Sequence, residues 1–122
     1  MTLEFRDYET ITVEIADNVA HVVLNRPEKR NAMSKAFWVE FPEAIRRISD
    51  NAAARAIVVS STGPVFTAGM DLSVFAEQGS SIMGGKVDPH IHADSFRMHL
   101  HHLQETFSCL YNARMPVLAA IQ

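Results

Sequence analysis

Cysteine is nearly absent. Cys109 is the single one among the 122 residues, so an internal disulfide is excluded and the composition suits a reducing compartment. Long apolar runs are missing as well: nothing approaches the roughly 18 consecutive apolar residues of a membrane span. The opening stretch, MTLEFRDYETITVEI, carries acids where a signal or transit peptide carries basic residues. An excess of positive charge is also lacking. The net charge is −3, whereas a nucleic-acid binder usually shows a basic patch. These absences predict a soluble, cytoplasmic protein with neither nucleic acid nor membrane as a partner. They do not predict disorder, because 48% hydrophobic residues supply a core for one domain spanning 1–122.

Several chemical signatures are missing too. There is no G-x-x-x-x-G-K-[ST], no G-x-G-x-x-G after a strand and no G-x-S-x-G. Six histidines invite a metal reading. His99 and His102 are three apart, but no two histidines are four apart and H-E-x-x-H does not occur. The histidines read as a partly solvated helix face and loop residues, and no metal is expected. Cys109 reads as a small buried residue, because nothing near it in sequence would lower its pKa.

What is present is a regular alternation of elements. In residues 10–16, Ile11, Val13 and Ile15 share one face, and 19–24 (VAHVVL) follows after Asp17-Asn18, which predicts a β-hairpin. Asn25 to Met33 is polar, contains Pro27 and reads as a loop. A helix fits Ser34 to Asp50, with Ser34 as its N-cap and Phe37, Phe41, Ile45 and Ile48 as an apolar stripe. Pro42 lies inside it and predicts a kink or a helix in two pieces, at a cost of about 3 kcal/mol in a regular helix. Residues 55–60 (RAIVVS) read as a buried strand, 61–66 as a turn, and Leu72 to Glu77 as a short helix started by Asp71. Gly79 to Asp88 reads as a loop, and Asp94 to Asn112 as a long helix striped by Phe96, Leu100, Leu103, Phe107 and Leu110. A last strand is expected over Val117 to Ile121, and the sequence looks cut there. This order predicts an α/β architecture with parallel pairing after the first hairpin.

The segment most suggestive of chemistry is Val65 to Leu72 (VFTAGMDL). It follows a buried strand, contains a glycine that permits a sharp turn, and leads into a helix start. Successive backbone N–H groups at such a turn can converge on one spot, which is what an oxyanion hole requires. For Asp71, capping the helix outweighs a catalytic part, since a carboxylate there accepts from first-turn N–H groups.

LNRPEKRNAMS at 24–34, AIVVSSTGPVFTAGMDL at 56–72 and PVLAAIQ at 116–122 resemble, in that order, the enoyl-CoA hydratase/isomerase (crotonase) family. Within it, KRNAMSKAFW and LQETFSCL are most similar to the Δ3,5-Δ2,4-dienoyl-CoA isomerases. The resemblance implies the amino-terminal portion of a spiral fold of repeated ββα units, assembling as homotrimers or homohexamers. It implies that the backbone N–H of Met70 gives one of two oxyanion-hole hydrogen bonds to an acyl-CoA thioester, with Ala68, Gly69, Asp71 and Leu72 completing the substrate-contacting turn. The carbonyls of Ala68 and Ala32 would line the site for coenzyme A. Lys29 and Arg30 would meet its phosphates, or form a solvated basic loop. No cofactor is implied, coenzyme A being part of the substrate. The second donor and the proton-transferring carboxylates would lie beyond Gln122, and neither Glu77 nor Glu105 matches a family catalytic position. For a complete protein, the implied function is an isomerase shifting the double bonds of a dienoyl-CoA. The alternatives are a 2-enoyl-CoA hydratase, or a non-catalytic acyl-CoA binder or inactive fragment.

Overall fold

Strands β1 (Ile11–Ala16) and β2 (Val19–Leu24) form an antiparallel hairpin with Ile11 opposite Leu24 and Ala16 opposite Val19 in a computed structural model that describes residues 3–74 and 89–122. Asp17 and Asn18 at its tip have φ of 51° and 66°. Positive φ at both central positions is the geometry that matches strand twist in a two-residue hairpin, and Asn and Asp tolerate it best after glycine. β2 then pairs in parallel with β3 (Ala56–Ser61), and β3 in parallel with β4 (Val117–Ala119), giving the order β1-β2-β3-β4. The predicted mixed sheet is thus present. β3 begins one residue later than expected, and β4 stops at Ala119, with one further ladder bond from Ala120 N–H to the Val59 carbonyl at 2.8 Å.

Helix α1 (Lys35–Asp50) lays its apolar stripe on the sheet. Ile45, Ile48, Ala20, Val22 and Ile57 are fully buried together, with Phe37 and Phe41 beside them. Two expectations about α1 need correction. Ser34 does occupy the cap position, but its side chain makes no capping hydrogen bond; only its carbonyl is used, by Trp38 N–H at 3.3 Å. Pro42 does not divide the helix, which runs unbroken through it with Pro42 buried. The magnitudes explain why: each buried Phe or Ile contributes about 1.5–3 kcal/mol, so the stripe outweighs a proline cost of about 3 kcal/mol.

The second long helix, α2 (Pro89–Tyr111), starts five residues earlier than Asp94. The helix is already in place at Pro89, the first described residue after 74. The buried residues of α2 are Thr106 and Cys109. Phe107 meets Trp38 edge-on at 5.5 Å, and Leu103 and Leu110 pack on the core. Phe96 and Leu100 are exposed, so the predicted stripe faces inward only over its second half. Between β3 and α2, residues 72–74 form a helical turn. The rest of the expected short helix, including Glu77, and the Gly79–Asp88 loop lie outside the described residues.

Candidate functional site

Two loops meet at the carboxyl ends of the parallel strands. One, 25–34, joins β2 to α1 and contains a 3-10 turn at Pro27–Lys29. The other, 62–71, follows β3. They are laced together by Asn31, which is 4% exposed and has φ of 55°. Its side-chain carbonyl accepts the Arg26 N–H at 2.8 Å, and its amide donates to the carbonyls of Thr62 at 2.7 Å and Val65 at 3.2 Å. The Thr67 hydroxyl donates to the Asn31 backbone carbonyl at 2.6 Å and accepts from Gly69 N–H at 3.1 Å. A buried amide with all its polar atoms engaged ties two segments strongly, because breaking it would strand donors and acceptors away from water.

The backbone joins the loops directly as well. Ala68 N–H donates to the Arg30 carbonyl at 2.9 Å, Met33 N–H to the Gly69 carbonyl at 2.7 Å, and Asp71 N–H to the Met33 carbonyl at 3.0 Å. This is a one-residue parallel bridge between Met33 and Met70. It fixes the direction of a group it does not use. The Gly69 carbonyl and the Met70 N–H belong to one planar trans peptide and point in opposite directions. With the carbonyl turned to Met33, the Met70 N–H is turned away from it. Among the described residues that N–H has no acceptor.

The sequence pattern suggested several converging donors, and the geometry corrects this. Of the N–H groups at 68, 69, 70 and 71, three are occupied within the loops and only that of Met70 is left to a ligand. Gly69, with φ of 90°, makes the turn possible, and a side chain there would meet nothing within 4 Å. Conformation, not space, is what calls for glycine.

Asp71 caps the turn 72–74. Its Oδ1 accepts from the Ser73 N–H at 3.0 Å and the Ser73 hydroxyl at 2.8 Å. Its Oδ2 accepts from Arg26 Nη1 at 2.9 Å. The two Ser73 bonds, then the Arg26 guanidinium, lower its pKa to about 2. The carboxylate is therefore ionised and fully engaged, in keeping with capping. Leu72 is 81% exposed. Lys29 and Arg30 are exposed on the 3-10 turn, Ala68 is exposed, and Ala32 is half-buried with its carbonyl 3.4 Å from Arg26 Nη1. The structure thus brings 29–33 and 68–72 together. Arg26, Asn31 and Thr67, which do the lacing, were not singled out by the sequence pattern; an asparagine and a threonine inside the two motif-bearing loops were the available signal.

A cavity of about 480 Å³ lies among residues of α1, α2 and the sheet, from Leu24 at the end of β2 to Met115 and Pro116 ahead of β4. Met33, Phe37, Phe66, Phe107 and Val117 line it, and among its described residues only Tyr111 carries a polar side-chain atom. Met33, whose backbone bridges Met70, and Phe66 border the cavity. Carboxyl ends of parallel strands are where α/β sheets commonly bind ligands. Among the described residues no group of His, Cys, Asp and Glu is arranged to hold a metal, and no helix is long and apolar enough to cross a membrane. Cys109 is buried, donates to the Thr106 carbonyl at 3.0 Å and has its pKa raised by burial. Glu105 is exposed, 3.8 Å from Arg46.

The sequence profile described as enoyl-CoA hydratase/isomerase matches residues 14–122. The mitochondrial Delta(3,5)-Delta(2,4)-dienoyl-CoA isomerase of Mus musculus is 42% identical over 116 residues, covering 94% of this chain and 35% of that protein. The hydroxycinnamoyl-CoA hydratase-lyase of Pseudomonas fluorescens is 39% identical over 83 residues, 66% of this chain and 30% of that protein. Among solved structures, an enoyl-CoA hydratase/isomerase from Xanthobacter autotrophicus Py2 superposes with a TM-score of 0.74 at 26% identity, covering 95% of this chain and 39% of that one. The chain spans about a third of the length of the curated relatives it matches.

Proposed function

Because this chain belongs to the enoyl-CoA hydratase/isomerase family, whose crotonase fold it shares, we propose that the Gly69–Asp71 turn receives the carbonyl oxygen of an acyl-CoA thioester. The observation that carries this is the Met70 N–H, turned off the Met33 bridge and left without an acceptor among the described residues. Removing a proton next to a thioester places negative charge on that oxygen. A donor already aimed at it stabilises the enolate more than the neutral substrate, and this difference is what accelerates a reaction. The apolar cavity suits the acyl chain. Lys29 and Arg30, exposed on the 25–34 loop, suit the phosphates of coenzyme A, and the Ala32 and Ala68 carbonyls its adenine and pantetheine portions.

For the whole protein, we propose an isomerase that moves the double bonds of a 3,5-dienoyl-CoA, with carboxylates outside these 122 residues taking a proton from one carbon and returning it at another. The 42% identity to the murine dienoyl-CoA isomerase supports this choice. A 2-enoyl-CoA hydratase is the second reading, supported by the similarity to a hydratase-lyase. Both need the same hole. Assay of the full-length protein with 3,5-dienoyl-CoA and 2-enoyl-CoA separates them: turnover of only the second rejects the isomerase. A homotrimer or homohexamer is proposed for the full-length protein, to be checked by light scattering. The 122 residues alone are expected to be inactive.

A further inference from the structure

The two loops are joined a second time, by side chains, and that junction lies next to the free N–H. Arg26 Nη1 is 2.9 Å from Asp71 Oδ2 and 3.4 Å from the Ala32 carbonyl. One guanidinium nitrogen therefore spans the residues that flank the Met33–Met70 bridge on its two strands. We propose that Arg26 is a positioning residue for the site: by holding Asp71, it fixes the plane of the Gly69–Met70 peptide and hence the aim of the Met70 N–H. The inference rests on the reading of that N–H as a thioester donor.

Three observations support a part for this clamp beside the Met33–Met70 bridge. On its amino side the peptide follows Gly69, which has φ of 90° and no side chain to pack and is held through its N–H to Thr67 Oγ1 at 3.1 Å and its carbonyl to Met33 N–H at 2.7 Å. A further restraint comes from the carboxyl side, where Asp71 follows Met70 directly. The Asp71 N–H is tied to Met33, and its carboxylate supplies a second, off-axis attachment that opposes rotation about the bridge. Arg26 is itself held: its N–H goes to Asn31 Oδ1 at 2.8 Å, and its carbonyl accepts from the N–H groups of Asn31 at 2.9 Å and Lys29 at 3.1 Å. A rigid series runs from Asn31 through Arg26 and Asp71 to Met70. The paired side chains are only 25% and 18% exposed, so salt screens them less than a surface pair. A single nitrogen of the planar guanidinium meets both acceptors, in an orientation that an ammonium on a flexible stem reproduces only in part.

The test uses the full-length protein with Arg26→Ala, Arg26→Lys and Arg26→Gln. It reads kcat and KM together with the infrared carbonyl band of a bound, unreactive saturated acyl-CoA. A hydrogen bond to the thioester oxygen lowers that band. For Arg26→Ala, kcat is expected to fall on the order of 10–100-fold, as for a misplacement of about 1 Å, with KM changed less than about threefold, as for an interaction gained mainly in the transition state. The band should return toward its position in water. Arg26→Lys should recover part of both, and Arg26→Gln, which keeps a donor without the charge, less than Lys. A thermal transition near that of the parent protein shows that each variant is folded; if Ala fails this, the Lys and Gln variants carry the comparison. A shifted band in the parent that is unchanged in the folded variants overturns the proposal while leaving the Met70 reading intact. No shift in the parent rejects the Met70 reading and the proposal with it.

Discussion

The Glu40 carboxylate holds Thr10 from 30 positions away, accepting its N–H at 2.8 Å and its hydroxyl at 2.6 Å, and it takes the neighbouring Glu9 N–H at 2.7 Å as well. Glu40 lies on α1 and is 4% exposed, so a helix residue fastens the start of β1 from inside the protein. Arg6, bidentate on Glu43, and Arg47, donating to the Glu4 carbonyl at 2.7 Å, lay the preceding segment on the same helix.

Glu40→Ala strands three buried or half-buried donors and is expected to destabilise the fold by about 2–4 kcal/mol. Glu40→Gln, which keeps one acceptor oxygen, should cost less. Urea denaturation of the two variants measures this, and a loss below about 0.5 kcal/mol in Glu40→Ala would show that the carboxylate does not anchor β1.

Gly63 has φ of 84°, and a Cβ there would lie 2.8 Å from Pro27 Cβ. Gly63→Ala therefore meets both conformational strain and a rigid ring, and is expected to cost about 1–3 kcal/mol. A melting temperature equal to the parent's would contradict it.

At position 70 the side chain and the N–H should separate cleanly. Replacing the Met70 amide by an ester, through the corresponding hydroxy acid, removes the donor and weakens the Gly69 carbonyl as acceptor of the Met33 N–H, while keeping the side chain. In the full-length protein it should lower kcat on the order of 10²–10³-fold. Met70→Leu should leave kcat within about threefold. Comparable losses in both would place the effect in the side chain.

The lowered pKa of Asp71 gives a signed dependence on acid. A depressed carboxylate contributes stability that is complete above the usual carboxylate range and is lost as pH falls through its folded value. The turn should therefore stay closed at pH 4 and open only as pH approaches about 2. Following the Ser73 amide by NMR checks this. In Arg26→Ala the midpoint should rise, but only part of the way, because the Ser73 bonds are the larger cause. A midpoint near pH 4 in the parent protein would sink the capping geometry.

Burial raises the Cys109 thiol above its usual range, and its proton is engaged by the Thr106 carbonyl. Alkylation by iodoacetamide at pH 8 should be at least about tenfold slower than for a free thiol and should accelerate on denaturation. A rate matching the free thiol would show that Cys109 is not buried as described.

Local pattern was enough for the elements whose cause is local. Ile11, Val13 and Ile15 alternate because one strand face is buried, and Asp17-Asn18 supplies the left-handed turn, so the hairpin could be read directly. Parallel pairing followed from the strand–helix–strand order. Pro42 misled because its local cost is visible, whereas the burial of Phe37, Phe41, Ile45 and Ile48 that overrides it depends on the sheet beneath. The same holds at the site. The glycine turn and its N–H were legible in VFTAGMDL, but the number of available donors was not, because Arg30, Met33 and Thr67 consume the others. Asn31 looks like any loop asparagine until Thr62 and Val65, more than 30 positions on, close over it.

The Gly69–Met70 peptide is a rigid plate with two working edges. One edge is bolted to Met33, and the opposite edge faces the ligand side. No substitution at residue 70 re-aims the second edge, because every amino acid but proline carries the same N–H there. Turning the plate over would release the Met33 bond in the same motion. Redesign of this corner therefore has to act on what bolts the plate down.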